Sequence, residues 1–227
     1  MRTLLIIPAY NEQDCIEQVV GNVRDNYPQY DYVVVNDGST DFTADICRRN
    51  GYRFIDLPVN LGLAGAFQAG IKYAKKRGYD CAIQFDADGQ HLPEHLAALV
   101  EKLDEPDTDI VIGSRFLTEP KPHSLRMAGS RLISGMLRLV CGQKITDPTS
   151  GMRAWGKRAI NLLAVGPNLG PEPDTLAYLM KKHGLHVSEI QVSMSERVAG
   201  TSYLNLSHSI KYMARTSVAI LFIRLFR

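Results

Sequence analysis

Two carboxylates one residue apart, Asp86 and Asp88, follow the short apolar run Cys81-Ala82-Ile83-Gln84-Phe85 and precede Gly89-Gln90-His91-Leu92-Pro93-Glu94. The run reads as a buried strand, and Pro93 as the first position of a helix. The pair then stands at the C-terminal end of a strand, the edge of an open α/β sheet where ligands bind. Two anions so close need a counter-charge. A hard divalent ion shared between carboxylates and the phosphates of a ligand supplies one. Asp and Gly are also ordinary turn formers, so the motif needs support from the rest of the chain. His91 reads either as a further ligand or as an exposed residue at a helix start.

That support comes from two earlier loops, Pro8-Ala9-Tyr10-Asn11-Glu12 and Asn36-Asp37-Gly38-Ser39-Thr40-Asp41. Leu4-Leu5-Ile6-Ile7-Pro8 is a continuous apolar run, the mark of a strand buried on both faces. Ile16, Val19, Val20 and Val23 follow at helical spacing. Tyr32 to Val35 forms the second strand, and Ser39 or Thr40 is expected to cap the helix running through Cys47. Tyr52 to Ile55 is a third strand. Asn60-Leu61-Gly62 then opens a helix of small residues reaching about Lys76. A helix through Leu103 and a strand at Asp109 to Gly113 complete the alternation, which predicts βαβ units and a mainly parallel sheet. If the strands are parallel, all three loops share one rim. Tyr10 there can lie against a base, Glu12 can accept from a ribose hydroxyl, and Asp37 can accept from a base amide. Convergence of these groups with Asp86 and Asp88 predicts a nucleotide-diphosphate cleft.

The second half has a different rhythm. Ser124 to about Cys141 is predicted helical, with Leu132, Ile133, Met136, Leu137 and Val140 on one face. No acid occurs between Glu119 and Asp147, although Lys121, Arg126, Arg131, Arg138 and Lys144 do. Met152 to Trp155 reads as a short strand with Trp155 in the core, Gly170 to Asp174 as the approach to a helix ending near His183, and Val187 to Met194 as a strand. His183 is expected to interact with that helix's dipole. The tail from Leu206 to Arg227 reads as a basic amphipathic helix, which either lies on a membrane or packs on protein.

Composition bounds the rest. The chain has 227 residues, 45% hydrophobic and 22% charged, as in ordinary globular proteins. A net charge of +2 is too small to argue for nucleic acid. Cys15, Cys47, Cys81 and Cys141 show no zinc or redox spacing and read as reduced thiols. No stretch reaches the ~18 apolar residues of a spanning helix, so a cytoplasmic protein, peripheral at the membrane face, is expected.

The motifs Ile7-Pro8-Ala9-Tyr10-Asn11-Glu12, Asn36 to Asp41, Asn60-Leu61-Gly62 and Asp86-Ala87-Asp88-Gly89-Gln90 resemble those of family 2 glycosyltransferases. Gly113-Ser114-Arg115, Arg131 with Ser134, Thr149-Ser150-Gly151-Met152-Arg153, and Arg197 with Gly200 are similar to the subgroup of dolichyl-phosphate mannosyltransferase-like enzymes. The resemblance implies a nucleotide-diphospho-sugar transferase fold (GT-A, Rossmann-like), α/β, with inverting chemistry. It implies Mg²⁺ or Mn²⁺ on Asp86, Asp88 and Gln90, and donor binding by Pro8, Ala9, Tyr10, Glu12, Asp37, Gly62, Asp86 and Ala87. The donor would be a UDP- or GDP-linked sugar. Arg115, Arg131, Ser134 and Arg197 are expected on the phosphate of a polyprenyl phosphate acceptor, since arginine bonds phosphate bidentately and stays charged. Beside Asp88, Glu172 and Asp174 are the candidate catalytic residues, because a hydroxyl acceptor on a glycan or glycolipid precursor would need a general base.

The expected organisation is one domain over 1–205, with a donor half (1–113) and an acceptor half (114–205), followed by the helix 206–227. A homodimer or a small membrane partner protein is a further expectation. A sugar nucleotidyltransferase and a non-catalytic nucleotide-sugar-binding module are the readings of another class. The first normally carries a glycine-rich basic loop after strand one, and intact Asp86 and Asp88 argue against the second.

Overall fold

A computed structural model describes residues 1–166, 169–195 and 206–225. Its seven-stranded sheet has the order β3-β2-β1-β4-β6-β5-β7. The strands are β1 (Thr3–Ala9), β2 (Asp31–Asn36), β3 (Phe54–Asp56), β4 (Cys81–Gln84), β5 (Ile110–Ser114), β6 (Arg153–Gly156) and β7 (Val187–Gln191). Every pairing is parallel except those of β6, which runs antiparallel between β4 and β5. The expectation of a mainly parallel sheet therefore holds. The reversed strand has no signal in local periodicity, because pairing direction is decided by where the chain returns.

β1 shows why its apolar run is continuous. Leu4 and Ile6 face one hydrophobic layer, Leu5 and Ile7 the other, and all four are fully buried. The second layer is closed by α1 (Ile16–Asn26), α2 (Thr43–Arg49) and α4 (Leu96–Leu103). The first is closed by α3 (Gly62–Arg77), α5 (Leu125–Cys141), α6 (Lys157–Val165), α7 (Pro173–His183) and α8 (Leu206–Leu225). Trp155 sits in that first layer with its ring 5.4 Å from Phe67, as expected of a core tryptophan.

Two local expectations are corrected, and the packing of the tail is seen. The cap of α2 is neither Ser39 nor Thr40. Asp41 accepts from the Thr43 N–H at 2.9 Å, while Ser39 Oγ accepts from Asn11 N–H at 3.0 Å in the neighbouring loop. His91 is buried, not exposed. Finally, α8 packs against α5 and α7. Its Ile220 is fully buried, and Met213 lies against Gly129 of α5. The protein-packing alternative for the tail is thus the one observed. Val218, Leu221 and Phe222 remain exposed on the outer side of α8. The side chains of Lys211 and Arg224, and Phe226 and Arg227 altogether, lie outside the described residues. No helix among the described residues is long and apolar enough to cross a membrane.

Candidate functional site

The C-terminal ends of β1, β2, β3 and β4 share one rim, and hydrogen bonds join their loops. Asn11, in the left-handed region with φ 55°, accepts through Oδ1 from the Thr40 N–H at 2.9 Å. The Glu12 N–H donates to Thr43 Oγ1 at 2.9 Å, and the Gln13 N–H to Asp41 Oδ2 at 3.2 Å. Asp37 is buried and accepts from the Leu61 N–H at 2.7 Å, tying the β2 loop to the start of α3. Gly38 has φ 64° and lies against the backbone of Val59 and Asn60, so a side chain there meets both strain and a clash. Pro8, Ala9, Tyr10, Glu12, Asp37 and Gly62 are therefore brought together. Tyr10 and Glu12 are half-exposed, while Ala9 and Asp37 are buried.

The two aspartates beyond β4 have different surroundings. Asp86 is half-buried, with 34% of its side chain exposed, whereas Asp88 is buried. Asp86 Oδ1 accepts from Gln84 Nε2 at 2.9 Å. The Asp86 N–H donates to His91 Nδ1 at 2.9 Å, and His91 Nε2 lies 3.5 Å from Asp86 Oδ2. An accepting Nδ1 leaves the proton of neutral imidazole on Nε2, turned to that carboxylate. His91 is thus a brace for Asp86, bonded through Nδ1 and with Nε2 near its carboxylate. Asp88 Oδ1 accepts from the Gln90 N–H at 3.1 Å, which fixes the turn. Ala87 is buried between them. Gly151 closes over Asp86 and its brace: a methyl there meets Asp86 Oδ2 and the His91 ring.

Among the described residues no three His, Cys, Asp or Glu side chains converge to hold a metal. Asp86 and Asp88 nonetheless fit a hard ion, because such an ion is commonly held by one or two carboxylates and completed by ligand phosphates and water. Asp86 offers the more open carboxylate, braced by Gln84 and His91.

The same rim continues along β5, where the expected acceptor residues separate. Arg115 aims its fork at Asp147, with Nε to Oδ2 at 2.7 Å and Nη2 to Oδ1 at 3.0 Å. Asp147 is fully buried. Burial alone drives its carboxyl upward, but the hydrogen bonds and charge of Arg115 outweigh this and hold it below the usual carboxylate value. Arg115 is therefore engaged within the protein. Arg131 and Ser134 line a separate cavity of about 540 Å³ with Phe116, Lys121, Arg138 and Lys144. Arg131 Nη2 donates to the Lys121 carbonyl at 2.8 Å and so anchors the loop over that cavity. Lys121 Nζ donates to Ser130 Oγ at 2.8 Å and lies 3.5 Å from Ser134 Oγ. Burial first, then the neighbouring Arg131 and Arg115, push its ammonium pKa down. Arg197 lies outside the described residues.

Glu172 occupies the N-cap position of α7, without a side-chain capping bond, and Asp174 stands in its first turn. The Glu172 side chain folds over Gly170, which in turn lies against Ala64 of α3, so the approach to α7 reaches the donor rim. Burial raises the pKa of Glu172, and nearby Asp174 adds to this. His183 ends α7 as expected, with its ring 5.1 Å from Tyr178.

Three residues of this site had no assigned role from sequence. Asp147 is the first acid after a long basic stretch, and Arg153 is the one charge in an apolar strand; both are signals of a buried ion. Lys121 has no comparable mark among the neighbouring cations.

Known proteins resemble the chain throughout. The model of Glycosyl transferase family 2 matches residues 4–162. An undecaprenyl-phosphate mannosyltransferase of Micrococcus luteus is 34% identical over 90% of this chain and 88% of its own length. A polyprenol monophosphomannose synthase of Mycolicibacterium smegmatis is 31% identical over 91% of this chain and 82% of its own. A glucosyl-3-phosphoglycerate synthase of Mycobacterium tuberculosis, crystallised with Mn²⁺ and uridine-diphosphate-glucose, superposes with a TM-score of 0.75. That match has 19% identity and covers 100% of this chain and 80% of the other.

Proposed function

Since the chain belongs to glycosyl transferase family 2, we propose that it transfers a hexose from a nucleotide-diphosphate sugar to a polyprenyl phosphate with inversion at the anomeric carbon. The acceptor reading is supported by the names of the two bacterial relatives. The observation that carries it is the cavity of about 540 Å³ beside the loop after β5, where Lys121, Arg131, Arg138 and Lys144 outnumber the one acid, Glu119, and Ser134 presents a hydroxyl. Such a lining suits a phosphate and not a neutral hydroxyl.

In this reading the β1 and β2 loops hold the nucleoside: Tyr10 lies against the base, Glu12 accepts from the ribose, and Asp37 fixes the loop that meets the base. Asp86 and Asp88, with Gln90, would hold Mg²⁺ or Mn²⁺, which on binding neutralises charge growing on the departing diphosphate. Mn²⁺ with a uridine nucleotide sugar in the structural neighbour supports that assignment. The acceptor phosphate enters already ionised, so its oxygen attacks the anomeric carbon without a base. Arg131 and Lys121 orient it and offset its repulsion from the donor. Glu172 and Asp174 then lie beside the sugar as hydrogen-bond acceptors for its hydroxyls. Arg197 is reserved for either phosphate group. The acceptor's lipid calls for contact with a membrane surface, for which the exposed Val218, Leu221 and Phe222 of α8 are apolar side chains at hand.

Arg131→Ala tests the acceptor assignment. It should raise the acceptor KM at least about tenfold, the loss of one charge-assisted hydrogen bond, while Mn²⁺-dependent binding of the nucleoside diphosphate stays unchanged. Loss of donor binding instead, or equal transfer to a neutral hydroxyl acceptor, would refute the phosphate assignment. Release of pyrophosphate would move the protein to the nucleotidyltransferases.

A further inference from the structure

The edge strand β7 reads Val187-Ser188-Glu189-Ile190-Gln191, so Val187, Glu189 and Gln191 leave the sheet on one face. Val187 belongs to the first hydrophobic layer, the one closed by α5. Glu189 and Gln191 are half-buried on that side, and both bond to segments far from them in sequence. Glu189 Oε1 accepts from the Thr146 hydroxyl at 2.8 Å and from the Asp147 N–H at 3.1 Å. Its Oε2 accepts from the Thr146 N–H at 2.8 Å. With its proton turned to a carboxylate, the Thr146 hydroxyl has only lone pairs to offer Ser114 Oγ, 2.6 Å away. Ser114 is then the donor of that bond, and its oxygen accepts from the Phe116 N–H at 3.2 Å.

Gln191 uses the whole of its amide. Oε1 accepts from the Leu117 N–H at 3.0 Å and the Thr118 N–H at 2.9 Å, while Nε2 donates to the carbonyls of Arg115 and Val192, both at 3.1 Å. These partners set its orientation, because a reversed amide would turn its NH₂ group against two N–H donors. The two segments so held are opposite walls of the cationic cavity. Phe116 and Thr146 line it, whereas Glu189 and Gln191 stand behind them. The strand then continues to the aspartates. The Val192 N–H donates to the Ser114 carbonyl at 2.9 Å, the Ser193 N–H to His95 Nε2 at 3.0 Å, and the Ser195 N–H to the Gln90 carbonyl at 3.1 Å. Met194 bridges to His91. One extended segment therefore bonds both to the cavity walls and to the turn that carries Asp86 and Asp88.

We propose that Glu189 and Gln191 are positioning residues for the transfer: they hold the two walls of the cationic cavity at a fixed separation and, through the continuation of β7, at a fixed offset from Asp86 and Asp88. An anion seated on Lys121 and Arg131 is thereby aimed at the sugar-bearing end of the donor. The proposal rests on reading this cavity as the acceptor-phosphate site.

The first test needs no ligand. Amide hydrogen exchange, read by NMR, follows the Leu117, Thr118, Thr146 and Asp147 N–H groups. Gln191→Leu should speed exchange at Leu117 and Thr118 by about tenfold, the scale of one lost hydrogen bond, and Glu189→Leu should do so at Thr146 and Asp147. Unchanged exchange at these amides overturns the proposal. The second test uses calorimetry with geranyl phosphate as the probe of the cavity. The probe of the donor side is Mn²⁺ with whichever of uridine or guanosine diphosphate the wild type binds. Each leucine variant should bind geranyl phosphate at least about tenfold more weakly and the nucleotide as tightly as the wild type. Loss on both sides, or on neither, makes the pair an ordinary feature of the edge strand and refutes the proposal. Glu189→Gln keeps an oxygen for the Thr146 hydroxyl and the Asp147 N–H, so its affinity should fall between those of Glu189→Leu and the wild type; an affinity no better than that of Glu189→Leu counts against the bonds assigned to Glu189. If a leucine variant does not fold, Thr146→Val takes its place, since it removes only the hydroxyl joining Ser114 to Glu189, and the same two outcomes decide. In turnover, Gln191→Leu should lower kcat by up to about 100-fold, the scale of a misplaced site, with the donor KM little changed. Wild-type protein that binds no geranyl phosphate, with exchange accelerated in the variants, would count against the proposed function and leave the hold of β7 on the two walls standing.

Discussion

Asp147 and Arg115 form an asymmetric ion pair, and the asymmetry predicts which partner is harder to lose. Asp147 has none of its side chain exposed, while Arg115 keeps 25% of its own. Arg115→Met leaves a carboxylate sealed from water, with only the residue-115 N–H at 3.3 Å and the Thr149 hydroxyl at 3.2 Å as donors. Stranding a buried charge in this way costs about 3–5 kcal/mol. Asp147→Asn leaves a guanidinium that water still reaches and an amide oxygen that can keep one of its bonds. Its cost should be about 2 kcal/mol, near one charge-assisted bond. For a domain of this size, about 2–4 °C accompanies each kcal/mol. Asp147→Asn should then lower Tm by about 4–8 °C and Arg115→Met by about 6–20 °C. The folded carboxyl lies below its ordinary value of 3.8. Its stabilisation is therefore complete above that value and lost as pH falls through the lower, folded pKa. Urea unfolding at about pH 7 and again below about pH 4 reads both effects: both deficits should shrink in acid. A larger deficit for Asp147→Asn than for Arg115→Met, or a deficit that grows as pH falls, would refute the reasoning.

Glu172 gives the opposite pH dependence. Burial raises its folded pKa, so its contribution is favourable at low pH and is lost as pH rises through that value. Glu172→Gln should raise Tm near neutral pH and leave it unchanged in acid, as scanning fluorimetry across pH will read; a pH-independent difference refutes this. Deleting 206–227 removes the fully buried Ile220 and uncovers the faces of α5 and α7 that α8 covers. The truncated chain should lose cooperative unfolding, and Ile220→Ala alone should cost about 2–4 kcal/mol; a truncated chain melting at the wild-type temperature would contradict the packing described. Gly151→Ala places a methyl against Asp86 and His91. It should abolish Mn²⁺-dependent nucleotide binding in calorimetry without loss of fold, and unaltered binding would show that the turn has room to spare.

The sequence and the structure agree best where local pattern decides the outcome. The apolar run of β1 marks a strand buried on both faces, and Ile16, Val19, Val20 and Val23 mark the inner side of α1. Asp86 and Asp88 could be placed at a strand end because their flanks carry turn and helix-start residues. What periodicity does not carry is the partner of a charge. Arg115 follows a strand at the ligand-binding edge, as expected, yet its fork meets Asp147, a residue of a later turn. His91 stands in a polar loop, and the approach of Gly151, the bridge to Met194 and the edge-on Phe85 ring enclose it. Asp37 has the right place on the rim but a backbone partner at Leu61. The helix α6 is set off from β6 by Gly156 alone, its N-cap residue, a weak mark beside its apolar spacing. In each case the missing information is a contact between segments distant in the chain.

The reversed strand β6 has a consequence for how the molecule folds. β1 to β4 come from the contiguous stretch 3–84 and can pair as it is made, each with a neighbour already present. β5 has no bond to that group, because its ladders run only to β6 and β7. The two parts of the sheet are thus separate until Gln84 meets Arg153 and Ile112 meets the same residue from the other side. These are non-local contacts, which carry a large loop-closure entropy and form slowly. The step that joins the sheet is also the step that brings the Gly151 turn to Asp86, so an assembled site and a completed fold arrive together. A chain stopped short of β6 presents the unpaired edge of β4, and its vulnerability to aggregation during synthesis is concentrated at that edge.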